Sequence, residues 1–109
     1  MSVLEIRSYT IKQGHETQFA QLMRTQSLPL LRQAGTDVVA FIACLDSPLA
    51  FVLMRAYRDL ADREDSQARF YGGDAWRLGP RQAVLDCIDN YTNVVLEADD
   101  RILASLRQG

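Results

Sequence analysis

The hydrophobic period of this chain switches back and forth between two and 3.6 residues, and the order of the switches restricts the fold more than any other feature. Residues 3–11, Val-Leu-Glu-Ile-Arg-Ser-Tyr-Thr-Ile, alternate and are rich in β-formers, which predicts a strand. From His15 the apolar positions Phe19, Leu22 and Met23 recur at helical spacing, with Glu16 favourable in the first turn. Pro29 must either kink this helix or open a second short one capped by Ser27. Gly35 reads as its C-terminal stop. Residues 37–45 form a near-continuous apolar strand, Asp46-Ser47-Pro48 is turn chemistry, and residues 50–57 form a third strand. So short a connection favours an antiparallel hairpin. Asp59 caps a helix running to Tyr71, with Asp62 placed as in a capping box, and Gly72-Gly73 ends it. Asp74 caps a turn carrying Trp76, Pro80 suits the first turn of a helix over 80–87, and residues 89–97 make a fourth strand.

The order β-α-β-β-α-β is the ferredoxin-like split pattern, an α+β sandwich. It predicts a domain over residues 1–97 and a tail over 98–109, whose Ile102, Leu103 and Leu106 at helical spacing predict an amphipathic helix. Helices on one side of four strands cover only one sheet face. Half of the sheet then has no cover within its own chain, and an apolar face of this kind is ordinarily hidden by a second copy, sheet to sheet. A homodimer is the expectation.

Composition removes several classes. With 109 residues, 48% of them hydrophobic, and a net charge of −2, the chain is one domain and not disordered. No apolar run approaches the roughly 20 residues that cross a bilayer. The opening residues show neither a basic n-region nor a long apolar h-region, so no signal peptide is expected and the cytoplasm is the default location. Lys and Arg form no stripe, which argues against nucleic acid. Cys44 and Cys87 sit far apart in apolar stretches, as buried free thiols do. With no CxxC and only one histidine, His15, neither a metal site nor a cofactor is expected.

Alternation places Leu4, Ile6 and Ser8 on one side of the first strand and Val3, Glu5, Arg7 and Tyr9 on the other. In the third strand Val52, Met54 and Ala56 oppose Phe51, Leu53, Arg55 and Tyr57. The ferredoxin-like topology makes these two strands central neighbours, so Arg7-x-Tyr9 and Arg55-x-Tyr57 lie side by side. Charges at the centre of a sheet must be paired or wet. Two outcomes stay open. One is a solvated face or polar dimer seam with Glu5 pairing an arginine. The other is a pocket in which two guanidinium groups and two phenols meet a polar or anionic small molecule.

Several segments of this chain resemble the NIPSNAP family. They are the opening Leu-Glu-Ile-Arg-Ser-Tyr-Thr-Ile-Lys-Gln-Gly, the step Leu28-Pro29-Leu30-Leu31, and Tyr57-Arg-Asp-Leu-Ala-Asp-Arg-Glu64. Gly73-Asp-Ala-Trp76 is similar to the family's Asp-Pro-x-Trp segment, with Ala75 in place of proline. The resemblance reaches to about residue 97 and implies the dimeric α+β barrel group, hence a ferredoxin-like subunit and a homodimer. The wider group includes cofactor-free monooxygenases acting on polyketide quinols, haem-degrading enzymes and stress-responsive barrels. The family itself is implicated in vesicle or mitochondrial processes in animals. Its small bacterial members supply no agreed catalytic set. Haem-degrading relatives rely on a histidine in the second half of the chain, where this one has none, so haem chemistry is not expected.

The candidate ligand-binding residues are therefore Arg7, Tyr9, Arg55, Tyr57, Tyr71 and Trp76, and the candidate catalytic groups are Arg55, Tyr57 and His15. Each has a plainer alternative. His15 suits an exposed helix start as well as a general base at a pocket rim. Trp76 and Tyr71 suit a core anchor or dimer contact as well as a flat wall for an aromatic substrate. Asp62-Arg63-Glu64-Asp65 suits a solvated helix face, and Asp89, Tyr91 and Asn93 could extend a polar sheet face. Two functions follow. The first is a small-molecule-binding protein, with cofactor-free oxygenation or isomerisation of an activated aromatic substrate as the enzyme it would be. In it, Arg55→Ala abolishes binding and leaves the dimer folded. The second is a non-enzymatic homodimeric interaction module with its interior filled by side chains.

Overall fold

The computed structural model describes residues 2–107, so residues 108–109 of the expected tail lie outside the described part. Four strands, β1 (Ser2–Ile11), β2 (Asp37–Ala43), β3 (Ala50–Tyr57) and β4 (Ile88–Ala98), form one antiparallel sheet in the order β2-β3-β1-β4. This is the ferredoxin-like arrangement, with the two Arg-x-Tyr strands central. β2 ends at Ala43, earlier than the apolar run, because the Asp46-Ser47-Pro48 turn lifts the chain away and leaves Leu45 wholly exposed.

The first helical segment continues through Pro29 without a break in its helical backbone. α1 (Glu16–Leu22) runs through a π-helical turn, Met23–Ser27, straight into α2 (Leu28–Gln33). Proline lacks an N–H and its ring presses on the preceding turn, and a locally widened turn relieves both. Ser27 is accordingly not a cap. Its backbone is helical (φ −68°, ψ −47°), it makes no capping bond, and it is buried. Gly35 does terminate α2, in the left-handed conformation (φ +89°) that glycine adopts without strain. The amide of Thr36 donates to the Leu31 carbonyl and that of Gly35 to the Arg32 carbonyl, each at 3.0 Å, which closes the helix end.

α3 (Leu60–Gly72) begins as expected: Asp59 Oδ1 accepts from the Asp62 amide at 2.7 Å. Asp62 reaches back to the Arg58 amide at 3.0 Å, one residue before the usual box partner, and that bond holds its carboxyl below the ordinary range. A single turn, α4 (Asp74–Arg77), follows. Here Gly73 takes the capping position and Asp74 sits inside the first turn. α5 (Arg81–Cys87) leads into β4.

Between helices and sheet the core is aromatic: Phe19 lies against Tyr9 (ring centroids 5.1 Å) and Phe51 (5.3 Å), and Phe41 stacks on Phe51 at 5.6 Å. Cys87 is buried there, whereas Cys44 is only half-buried. The other sheet face is not bare from end to end, as expected from sequence. α6 (Asp100–Arg107) folds back so that Leu103 packs with Leu4, Val39, Ala56 and Ala98. The physical cause is the tail's apolar stripe, which finds its counterpart at the β2 end of its own sheet. Beyond α6 the face stays open, with Ile42 and Val94 each 51% exposed. Among the described residues no helix is long and apolar enough to cross a membrane.

Candidate functional site

Glu5, Arg7 and Tyr9 of β1, and Arg55 and Tyr57 of β3, all point toward the helices and all are buried. They form neither a wetted face nor a dimer seam, because α3 lies over them and supplies Arg63, Gln67 and Tyr71 as partners, while Arg55 Nε has no partner among the described residues. Glu5 is the centre. One carboxylate oxygen, Oε1, is paired with Arg55 Nη2. The other, Oε2, accepts from Arg63 Nε at 2.7 Å and Gln67 Nε2 at 2.6 Å. Arg7 Nε stands 3.7 Å from Oε1. An ionised carboxylate has about four acceptor sites, so this one is almost fully used. Burial pushes the Glu5 carboxyl up, but the Arg55 charge and the bonds from Arg55 and Gln67 prevail and hold it below the ordinary range. Burial also favours loss of the Arg55 proton, but Tyr71, Tyr57 and Glu5 outweigh it and the guanidinium stays charged.

The tyrosines form the next layer outward. Tyr71 Oη accepts from Arg55 Nη1 at 2.7 Å and from Arg7 Nη1 at 3.3 Å. Arg7 is held on its other side by Asn93, whose Oδ1 accepts from Nε at 2.8 Å, and its guanidinium lies over the Tyr91 ring at 4.7 Å. Tyr57 Oη accepts from Gln67 at 3.1 Å. Burial raises the Tyr57 hydroxyl pKa. Burial, with Tyr71 nearby, pushes Tyr9 up to about 12.

Above this network lies a cavity of about 360 Å³, between the sheet and the helices. Arg7, Tyr9, Tyr71 and Trp76 line it, together with Ser27 from the π-helical turn and Arg81 from α5. No Asp or Glu is among the lining residues. Trp76 meets the Tyr71 ring edge-on at 5.4 Å (84° between planes) and packs on Phe70 at 5.7 Å, so it serves as both core anchor and cavity wall. Ser27 Oγ is buried and has no hydrogen-bond partner among the described residues.

The structure thus brings together four of the candidate residues at one cavity: Arg7, Tyr9, Tyr71 and Trp76. Arg55 is wholly buried beneath it and reaches it only through Tyr71. Tyr57 borders a different, polar cleft beside Arg58 and Asp62. His15 begins α1, half-buried, and does not line the cavity. Of the residues expected on a solvated helix face, Arg63 instead turns inward to Glu5. Asn93 and Tyr91 meet Arg7, while Asp89 stays exposed. Sequence reasoning passed over Gln67, Ser27 and Arg81. For Gln67 a signal existed: it follows Arg63 by one helical turn, so both share a face. Among the described residues no cluster of His, Cys, Asp and Glu is placed to hold a metal ion.

A family model described as NIPSNAP matches residues 4–98. Among solved structures, the chain is similar to a NIPSNAP family protein from Agrobacterium tumefaciens, with a TM-score of 0.82 and 19% identity over 91% of this chain and 87% of that one. It is similar to an uncharacterised NIPSNAP-like domain protein from Burkholderia xenovorans, with a TM-score of 0.81 and 19% identity over 91% and 86%. A more distant likeness is to a "putative antibiotic biosynthesis monooxygenase" from Bordetella bronchiseptica, with a TM-score of 0.72 and 18% identity over 90% and 97%. No curated protein matches. At these identities the structural likeness speaks to fold alone.

Proposed function

The chain belongs to the NIPSNAP family, and on that premise we propose that it binds a small polar or aromatic molecule between its sheet and helices, as one subunit of a homodimer. The cavity carries this reading. At about 360 Å³ it is within the usual scale of roughly 300–1,000 Å³ for ligand sites, and its walls combine apolar and aromatic surface with a few fixed polar groups. A non-enzymatic module with a filled interior needs no such space. The open sheet face supports the dimer, since Ile42 on edge strand β2 and Val94 and Leu96 on the opposite edge strand β4 are each about half exposed on the same side of a regular sheet. The finer reading, cofactor-free oxygenation or isomerisation of an activated aromatic substrate, draws its support from the distant neighbours named as monooxygenases.

Trp76 is the sole tryptophan and lines the cavity, so its emission reports occupancy. Titration with fitting one- and two-ring aromatics should shift that emission and raise the melting temperature. Val84→Phe, which narrows the cavity from α5, should weaken binding by about tenfold or more. If a panel of such compounds at millimolar concentration moves neither emission nor melting temperature, the cavity is not a ligand site.

A further inference from the structure

We propose that the cavity wall where Tyr71 meets Arg7 is an oxyanion site, and that the molecule it takes is a planar aromatic bearing a carboxylate or another anionic oxygen. This rests on the cavity being a ligand site, as argued above.

A phenol has two lone pairs and one proton, and a guanidinium only donates. The bonds from Arg55 Nη1 at 2.7 Å and Arg7 Nη1 at 3.3 Å therefore fill both lone pairs of Tyr71 Oη. Its proton can only be donated, and no acceptor for it is found among the described residues. Tyr71 lines the cavity, so a guest there can supply the acceptor it lacks. Arg7 adds a second donor. Its Nε is bound to Asn93 and its Nη1 to Tyr71, and its guanidinium also approaches the Tyr9 hydroxyl, so its remaining N–H groups are shared between Tyr9 and a guest in the cavity. Two converging donors, one of them charged, are what a carboxylate or enolate oxygen selects.

The local charge points the same way. Glu5 is the one carboxylate among Arg7, Arg55 and Arg63, and Arg81 adds a further positive charge at the cavity with no acid lining it. A net positive charge around the cavity is relieved by an anionic guest and aggravated by a cationic one. The partnerless Ser27 Oγ, from a separate element, is an independent sign that a polar guest is missing. The aromatic lining of Trp76, Tyr71 and Tyr91 favours a planar ring over a branched aliphatic one.

The test is calorimetric titration of the full chain at neutral pH with cinnamate, cinnamyl alcohol and cinnamylammonium, which share a ring and differ in charge. Cinnamate should bind at least about tenfold more tightly than the alcohol, with the ammonium weakest. In Tyr71→Phe that preference should shrink to within about threefold while affinity for the alcohol is nearly kept. Tyr71→Phe also strips a partner from Arg55, so Arg7→Gln provides a second variant with the same expectation. Equal binding of all three compounds, or an intact preference in both variants, overturns the oxyanion site and leaves the cavity as a ligand site. Binding of none of them overturns both.

Discussion

Glu5 and Arg55 stand directly opposite each other on the two central strands, paired and wholly buried. A charge pair so placed contributes little beyond a well-packed apolar pair, but removing one partner strands the other charge without water. Glu5→Ala and Arg55→Ala should each lower stability by about 3–5 kcal/mol in urea unfolding. Glu5→Leu combined with Arg55→Met should cost clearly less than the sum of the single losses. Sequence alone suggests Arg55→Ala as a binding probe that leaves the dimer folded; because Arg55 is wholly buried and paired with Glu5, a binding defect in that variant would report damage to the fold as well.

The same carboxylate sets an acid limit. The folded state holds the Glu5 carboxyl below its ordinary value of 4.5. Its contribution to stability is therefore complete above that value and is lost as pH falls through the lower folded value. Unfolding free energy should be flat from neutral pH to about pH 5 and then fall, with a steeper fall in the wild type than in Glu5→Gln. Tyr9 acts at the other end. Its neutral form is favoured in the fold, so its contribution is present below its ordinary value of 10.0 and vanishes as pH rises through about 12. Absorbance titration should show at least one phenol ionising only as the protein unfolds in alkali.

Ser27→Ala should be stabilising, by about 1 kcal/mol. The hydroxyl is buried with no partner, and in the free protein it costs desolvation that nothing repays. Alanine is also the better helix former. Chemical denaturation of the unliganded protein measures this directly. A loss of stability would mean that a water or neighbouring group satisfies the hydroxyl in solution.

The fold was legible because the strands announced themselves by alternation or by a short apolar run, and the breaks between elements by Gly, Pro or Asp. Even the alternation that put Glu5, Arg7 and Tyr9 on one side with Arg55 and Tyr57 was correct. Which side faced the helices was not legible, since a charged row reads as solvent-facing until α3 is known to bring Arg63 and Gln67 over it. Ser27 was misread for a related reason. Its composition suits a cap, and only the π-helical turn demanded by Pro29 turns it into a cavity wall. α6 was readable as a helix, but its docking depends on Leu103 meeting Leu4 and Ala98, contacts that no local pattern encodes.

The open sheet face gives the last prediction. α6 covers only the end around Leu103, and Ile42 and Val94 remain 51% exposed on the rest, with Ile102 of α6 48% exposed beside it. A surface that keeps this much aliphatic area beside a regular sheet is ordinarily covered. Light scattering should therefore find a dimer at micromolar concentration. Val94→Lys, which places a charge in the open face, should yield a folded monomer, and Ile102→Lys should weaken the dimer less because it lies at the margin. Neither substitution touches the cavity, so Trp76 emission and cinnamate affinity should survive monomerisation within about threefold. A wild-type chain that stays monomeric at those concentrations would leave the face to α6 and water alone, and the homodimer would have to be abandoned.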